Sequence, residues 1–276
     1  MTEWSPLIIA VAPNGARKTK DDHAALPMTP KECAHEAILC RDAGAAMIHL
    51  HVRDEGGKHS LDPELYKDAI AAVRAAVGDD LIIQATTEAV GIYSVAEQMN
   101  MVREVRPEAI STAVRELIPD QESEKTAAEF YSWAAKENIA VQYILYDGDD
   151  VRRLVDLRHR GVIPGEQLFV LYVLGRYSKN QRSEPSDLLP FLNAANETDM
   201  DWHWSMCAFG PREGACALNV ASLGGHVRVG FENNLYLNDG EMASGNSDLI
   251  GQAKDGADLL ARPVASASQA REILSD

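Results

Sequence analysis

No run of about 18 apolar residues occurs in the 276-residue chain, so no membrane-spanning helix is expected. Basic charge is scarce: 26 Lys and Arg stand against 42 Asp and Glu, a formal charge of −16. Nucleic acid and anionic membranes need a basic surface, so neither is expected as a main partner, although a small patch of Lys and Arg can still hold one anionic cofactor. The four cysteines form no C-x-x-C pair. Cys33 and Cys40 would stand roughly 10 Å apart on one helix, beyond disulfide reach. A reduced, cytoplasmic protein is therefore expected. The opening residues, Met1 to Pro6, are polar and include Glu3, which does not read as a signal peptide. The dinucleotide fingerprint G-x-G-x-x-G is missing after the first apolar run, where the chain reads Pro13-Asn14-Gly15-Ala16, and no P-loop occurs. There is no low-complexity tract, linker or short repeat. What remains is 46% hydrophobic and 25% charged, the make-up of an ordinary globular protein with enough apolar chain for a large core.

Short apolar runs alternate with helical segments. Strands are expected over residues 7–13, 46–53, 81–87, 109–114, 140–147, 167–175, 201–209 and 226–233. Helices are expected over 29–43, 63–77, 94–105, 122–137, 151–159, 185–195, 215–223 and 247–260. Thr29-Pro30 and Asp62-Pro63 are cap-plus-proline starts, and Gly44, Gly78, Gly161 and Gly224 are stops. Eight β/α alternations in this length predict an α/β fold of one domain: a (β/α)8 TIM barrel over residues 1–276 with a C-terminal helical tail. A doubly wound open sheet is the structural alternative.

In such barrels the reactive groups gather at the C-terminal strand ends. Alternation along the second strand turns Ile48, Leu50 and Val52 to the helices and His49, His51 and Arg53 inward. On the eighth strand Val229 and Phe231 face the helices, which leaves Arg228 and Glu232 inward. Two imidazoles and a carboxylate with an open position are the donor set of catalytic zinc, and Mn or Fe can use it as well. The competing reading is two hydrogen-bonded histidines in a polar mouth with Glu232 serving Arg228. Gln84, Thr86 and Glu88 share a face at the third strand end, where a hydroxyl and a carboxylate can bind substrate oxygens or move a proton. Of Ser111 and Thr112 one faces inward, and Thr112 is carried as a substrate contact. His203 and Ser205 share a face, with His203 read as a core residue rather than a second metal site. Tyr143 and Asp147 stay ambiguous.

Three blocks then carry a resemblance: Ala12-Pro13-Asn14-Gly15-Ala16 with Thr19-Lys20 and Ala25 to Pro30; Ala43 to Ala46 leading into His49-Leu50-His51-Val52-Arg53-Asp54; and Gly224 to Gly230 followed by Glu232. From about residue 7 to residue 263 the chain resembles the β-keto acid cleavage enzymes, a family typified by the 3-keto-5-aminohexanoate cleavage enzyme. The resemblance implies a (β/α)8 barrel, a homo-oligomer (commonly a tetramer), and a retro-Claisen-type transfer. In that reaction a β-keto acid and acetyl-CoA give acetoacetate and a new acyl-CoA. It implies zinc on His49, His51 and Glu232, Arg228 stabilising developing oxyanions, and acetyl-CoA as co-substrate. Arg17, Asn14, Thr86, Thr112 and Asn233 are the implied substrate contacts.

The chain departs from the family pattern in three places. Where the family has Glu-Asp-Asn, with the Asp as proposed base, this sequence has Glu232-Asn233-Asn234, and an amide takes no proton at ordinary pH. Ser-Thr-Gly-Gly is replaced by Thr86-Thr87-Glu88-Ala89, so Glu88 is the candidate replacement base. Arg17 stands where the aminohexanoate enzyme has a Glu for the substrate's ammonium; an arginine repels that group and suits a distal carboxylate or a neutral polar end. Arg115, Arg152, Lys179 and Arg182 are available for CoA phosphates without a diagnostic spacing. Rival classes are a metal-dependent amidohydrolase, disfavoured because its H-x-H lies on the first strand, a CoA-independent lyase, and a barrel that binds a keto acid without turnover.

Overall fold

The computed structural model describes residues 4–165, 167–198 and 200–275; the opening residues 1–3 lie outside it. Eight parallel strands close into a barrel: β1 (Ile9–Val11), β2 (Met47–Leu50), β5 (Ile82–Thr86), β6 (Ala109–Ala113), β7 (Ala140–Leu145), β8 (Phe169–Leu174), β9 (His203–Ala208) and β10 (His226–Val229). A two-stranded antiparallel hairpin, β3 (Val52–Arg53) with β4 (His59–Ser60), stands on the loop after β2. β10 pairs with β1 and β1 with β2, so the two ends of the sequence meet on one wall.

Helices wrap the outside: α1 (Pro30–Ala43), α2 (Pro63–Val77), α3 (Val95–Val105), α4 (Val114–Leu117), α5 (Glu124–Lys136), α6 (Gly148–His159), α7 (Leu189–Asn196), α8 (Glu213–Ser222), α9 (Asn246–Leu259) and α10 (Ala267–Ser275). None is long and apolar enough to cross a membrane. The expected starts appear as caps. Thr29 and Glu32 form a reciprocal capping box on α1, and Asp62 accepts from Glu64 N on α2. Asp147 caps α6, its Oδ1 accepting from Asp150 N at 2.8 Å, so that helix begins three residues earlier than residue 151. α10 is the expected tail. Its Ala270 joins Ile8, Met47, Ile82 and Phe169 in an apolar plug at the N-terminal end of the barrel.

Every barrel strand ends sooner than expected, and at two of them this bears on the site. The second stops at Leu50, before the hairpin, and the eighth at Val229, where Gly230 takes φ 134°. The helix-facing set Ile48, Leu50, Val52, Val229 and Phe231 is nevertheless in the outer core as expected.

Candidate active site

His49 projects inward from β2, and His51 follows on the turn into the hairpin. Glu232 comes from a loop rather than from a strand. Gly230 turns the chain, Glu232 N donates to Ala12 O at 3.0 Å, and Phe231 N donates to Asn246 Oδ1 at 2.7 Å. Glu213, fully buried and pushed up to about 8 by that burial, accepts from Gly230 N at 3.2 Å. Lys18 Nζ closes the loop from above on Glu232 O at 2.7 Å. Gly15, with φ 61°, lets this happen: a Cβ there would stand 2.5 Å from Glu232 Cγ.

The hydrogen-bond network fixes what the three side chains present. Ser205 Oγ donates to Val170 O at 3.2 Å, so it accepts from Gln142 Nε2 at 2.9 Å. Gln142 Oε1 then accepts from Gln84 Nε2 at 3.2 Å, and Gln84 Oε1 accepts from His49 Nδ1 at 2.8 Å. This chain crosses the barrel interior and leaves His49 Nε2 as the free lone pair. Burial, then the neighbouring Arg228, push His49 down to about 3, so that lone pair stays unprotonated. On the other side, His59 Nε2 donates to Glu88 O at 2.9 Å. Burial, then His51, also take His59 to about 3, so its Nδ1 accepts from His51 Nδ1 at 3.4 Å. His51 is thereby left with Nε2 facing the centre.

His49 Nε2 and His51 Nε2 stand 3.1 Å apart. Glu232 Oε2 lies 3.6 Å from the first and 3.3 Å from the second, and has no hydrogen-bond donor. Burial pushes the Glu232 carboxyl up, but Arg228 and then the imidazoles outweigh it and hold the group well below the usual carboxylate range. Three converging acceptor atoms with no donor among them could hold a cation. Two nitrogens on a tetrahedral ion at about 2.0–2.1 Å stand ~3.3 Å apart, close to the 3.1 Å found here. Each imidazole gives its other ring N–H to an acceptor, as metal-ligating histidines do, here the Gln84 amide oxygen and the His59 ring in place of the usual carboxylate or backbone carbonyl.

Arg228 is buried, donating to Glu232 Oε1 at 3.0 Å and contacting Cys207 Sγ at 3.3 Å, while its Nε has no partner. With His49, Thr86, Glu88, Tyr146, Arg176 and Glu232 it lines a constriction of about 30 Å³. This opens into a cavity of about 270 Å³ bounded by Asn14, Arg17, Lys18, Glu88 and Arg176. Asn14 Nδ2 donates to Pro27 O and His51 O, both at 3.0 Å, leaving Oδ1 unpartnered. Thr86 Oγ1 accepts from Glu88 N at 3.0 Å, which leaves its hydroxyl proton to give. The Glu88 carboxylate is held by Arg176 at 3.2 Å and Arg17 at 3.7 Å. A wider cavity of about 480 Å³ adjoins through Lys18 and Gln181, lined also by Arg182, Asn233 and Tyr236. Asn233 is buried with both amide atoms unpartnered.

Some expected residues lie elsewhere. Thr112 faces the helices, its Oγ1 3.0 Å from the Tyr131 hydroxyl on α5; Ser111 is the inward member of that pair. Arg53 does not enter the mouth: it holds the 15–18 loop, donating to Ala16 O at 2.9 Å and Lys18 O at 3.0 Å. Arg115 is bound by Asp147 and Asp150, and Arg152 by Asp149 and Glu197. Tyr143 packs outward beside Tyr131.

Lys18, His59, Gln142, Tyr146 and Arg176 were not singled out from sequence. The run Asp54-Glu55-Gly56-Gly57 was a hairpin signal that would have folded His59 back onto His51. The inward parity of Gln142 was equally readable. Lys18 and Arg176 sit on loops whose paths carry no pattern.

The beta-keto acid cleavage enzyme family model matches residues 6–275. The 3-keto-5-aminohexanoate cleavage enzyme of Acetoanaerobium sticklandii is 30% identical over 273 residues, covering 97% of each chain. The 3-oxoadipate:acetyl-CoA acetyltransferase of Cupriavidus necator is 27% identical over 278 residues, covering 98% of this chain and 94% of that one. Among solved structures, the ternary complex of ObcA with C4-CoA adduct and oxalate superposes with a TM-score of 0.73 at 15% identity, over 91% of this chain and 68% of that one, a likeness of fold alone.

Proposed function

Since the chain belongs to the beta-keto acid cleavage enzyme family, we propose that it transfers an acyl group between a β-keto acid and acetyl-CoA, yielding acetoacetate and a new acyl-CoA. The observation that carries this is the convergence of His49 Nε2, His51 Nε2 and Glu232 Oε2 without a donor between them, at the mouth of a cavity lined by Arg228 and Thr86. Those three residues would hold zinc, which when bound polarises the ketone as a Lewis acid. Nitrogen and oxygen donors favour zinc, although Mn and Fe use the same set.

The residues around the metal divide the remaining work. Arg228 has an unpartnered Nε and further guanidinium N–H groups to set against oxygen charge that grows as C2 of the keto acid is deprotonated. Thr86 gives its hydroxyl proton to a substrate oxygen. Asn14 Oδ1 and the Asn233 amide are buried polar atoms awaiting partners, which fits them to substrate groups. Glu88 takes the C2 proton and returns it to product, because it is the carboxylate lining this constriction that is not a metal ligand. The deprotonated carbon forms its bond to the acetyl carbonyl and the thiolate leaves. That thiolate then attacks the original ketone carbon, the bond from that carbon to C2 breaks, and C2 takes the proton back from Glu88, releasing acetoacetate and the new thioester. We assign the acetyl-CoA thioester to the wider cavity past Lys18, where Arg182 and Asn233 face it. A tetrameric assembly belongs to the same reading, and light scattering tests it.

The Arg17 and Arg176 charges disfavour a 5-amino substrate, which separates this chain from the aminohexanoate enzymes it is similar to. The test is a panel of β-keto acids assayed with and without acetyl-CoA on protein of measured metal content. Acetoacetate that appears only with both substrates and metal supports the proposal. Cleavage without acetyl-CoA points to a lyase. Tight binding without turnover points to a binding barrel, the reading that Asn233 in place of an acid favours.

A further inference from the structure

Two guanidinium groups share one carboxylate oxygen in the substrate cavity. Arg176 and Arg17 both approach Glu88 Oε1, at 3.2 and 3.7 Å. The other cations nearby are committed. Arg53 is spent on backbone carbonyls, and Lys18 Nζ is on Glu232 O at 2.7 Å. Arg176 is largely enclosed and lies against the ring of Phe209, 5.5 Å from its centroid, so it cannot relax into solvent. Glu88, Arg176, Phe209 and Glu232 line both the constriction at the metal ligands and the cavity beyond. A keto acid reaching from the metal site into that cavity therefore ends at the arginines.

We infer that Glu88 is a resident counter-ion whose place on Arg176 and Arg17 is taken by a second carboxylate at the far end of the substrate, so that the enzyme selects dianionic β-keto acids. This rests on the reaction proposed above and narrows its substrate class. A planar guanidinium accepts a carboxylate through two parallel N–H donors, and each arginine here spends one contact on a single oxygen. Asp22 and Glu232 also line this cavity, and Glu116 lies within electrostatic reach of both arginines, so a further anion is admitted by taking over the Glu88 contacts and not by spare positive charge. The incoming carboxylate takes over the guanidinium contacts that Glu88 gives up, whereas a neutral alkyl end offers the arginines nothing and leaves Glu88 pinned. Exchange also lifts the guanidinium charge from Glu88, the group that takes the C2 proton, so the right far end and a free base arrive together.

The test compares the six-carbon 3-oxo diacid with 3-oxohexanoate, equal in chain length and different only in the far end. Wild-type kcat/KM is expected to favour the diacid on the order of 10- to 100-fold, the range of one charge-assisted hydrogen-bonded pair. Arg176→Met should bring the ratio close to one, and equal rates in the wild type would overturn the inference. Binding of glutarate, which has both carboxylates and no ketone, is measured by calorimetry alongside butyrate. Glu88→Gln should tighten glutarate more than butyrate, because the resident competitor for the far carboxylate is gone; equal tightening of both, the through-space effect of losing one negative charge, or no tightening would also overturn it. If neither keto acid gives acetoacetate, the catalytic reading has failed, while the glutarate arms still decide whether the arginines read a second carboxylate.

Discussion

The relay behind His49 makes a quantitative demand on metal affinity. Gln84→Leu removes the acceptor of His49 Nδ1–H and the donor to Gln142 Oε1 in a nearly isosteric change. The imidazole is then free to rotate or change tautomer, and either movement takes Nε2 away from its 3.1 Å register with His51. Loss of such a second-sphere partner weakens metal binding by about 10- to 100-fold, or ~1.4–2.7 kcal/mol. Gln84→Glu keeps an acceptor for His49. The Gln142 amide can turn over to donate to it and to accept from Ser205, so this variant should retain most of the affinity. Ser205→Ala acts two links away and should lose less than Gln84→Leu. Zinc affinity is read by competition against a chromogenic chelator, with far-UV circular dichroism as a check on folding. A folded Gln84→Leu protein binding zinc within twofold of wild type would refute the argument that this chain sets the His49 tautomer.

Other expectations follow from the same geometry. Gly15→Ala drives a methyl group into Glu232 Cγ at 2.5 Å, so it should reduce bound metal sharply while leaving the barrel's circular dichroism intact. Thr112→Val should cost about 1 kcal/mol in urea unfolding by stranding the Tyr131 hydroxyl, with kcat/KM changed less than twofold, since Thr112 faces the helices. His226 is held near 3, first by burial and then by Arg262, while its Nδ1 accepts from Ile8 N at 3.1 Å. Its folded value lies below the unfolded 6.5, so its contribution is whole above that pH and drains away as pH falls toward 3, by up to about 1.4 kcal/mol per pH unit. His226→Asn should flatten the dependence of urea midpoint on pH across that window, and an unchanged slope counts against the assignment. Stripping metal with a chelator should lower Tm, and zinc should restore it in wild type and not in Glu232→Gln.

The barrel was legible because its signals are local. Caps at Thr29 and Asp62, glycine stops and the period-two pattern of β2 and β5 all act within a few residues, so they report before the chain closes. His49 and Arg228 were legible for the same reason, since alternation alone turns them inward. Glu232 was chosen for an incomplete reason: strand parity ends at Val229, and a loop braced by Asn246, Glu213, Ala12 and Lys18 aims the carboxylate. Thr112 was misplaced because parity says which members of a strand share a face and not which face is inside. Apart from His51 and His59, which one hairpin joins, the partners that decide the chemistry lie far apart in sequence: Gln84 to Gln142 to Ser205, and Arg17 to Glu88 to Arg176. By itself the sequence determined an alternating β/α chain with two imidazoles on one strand face, because backbone sterics and hydrophobic periodicity are short-range. The tertiary structure alone decided which lone pairs meet and which charges share a counter-ion, because only closure of the barrel brings those groups within hydrogen-bonding reach.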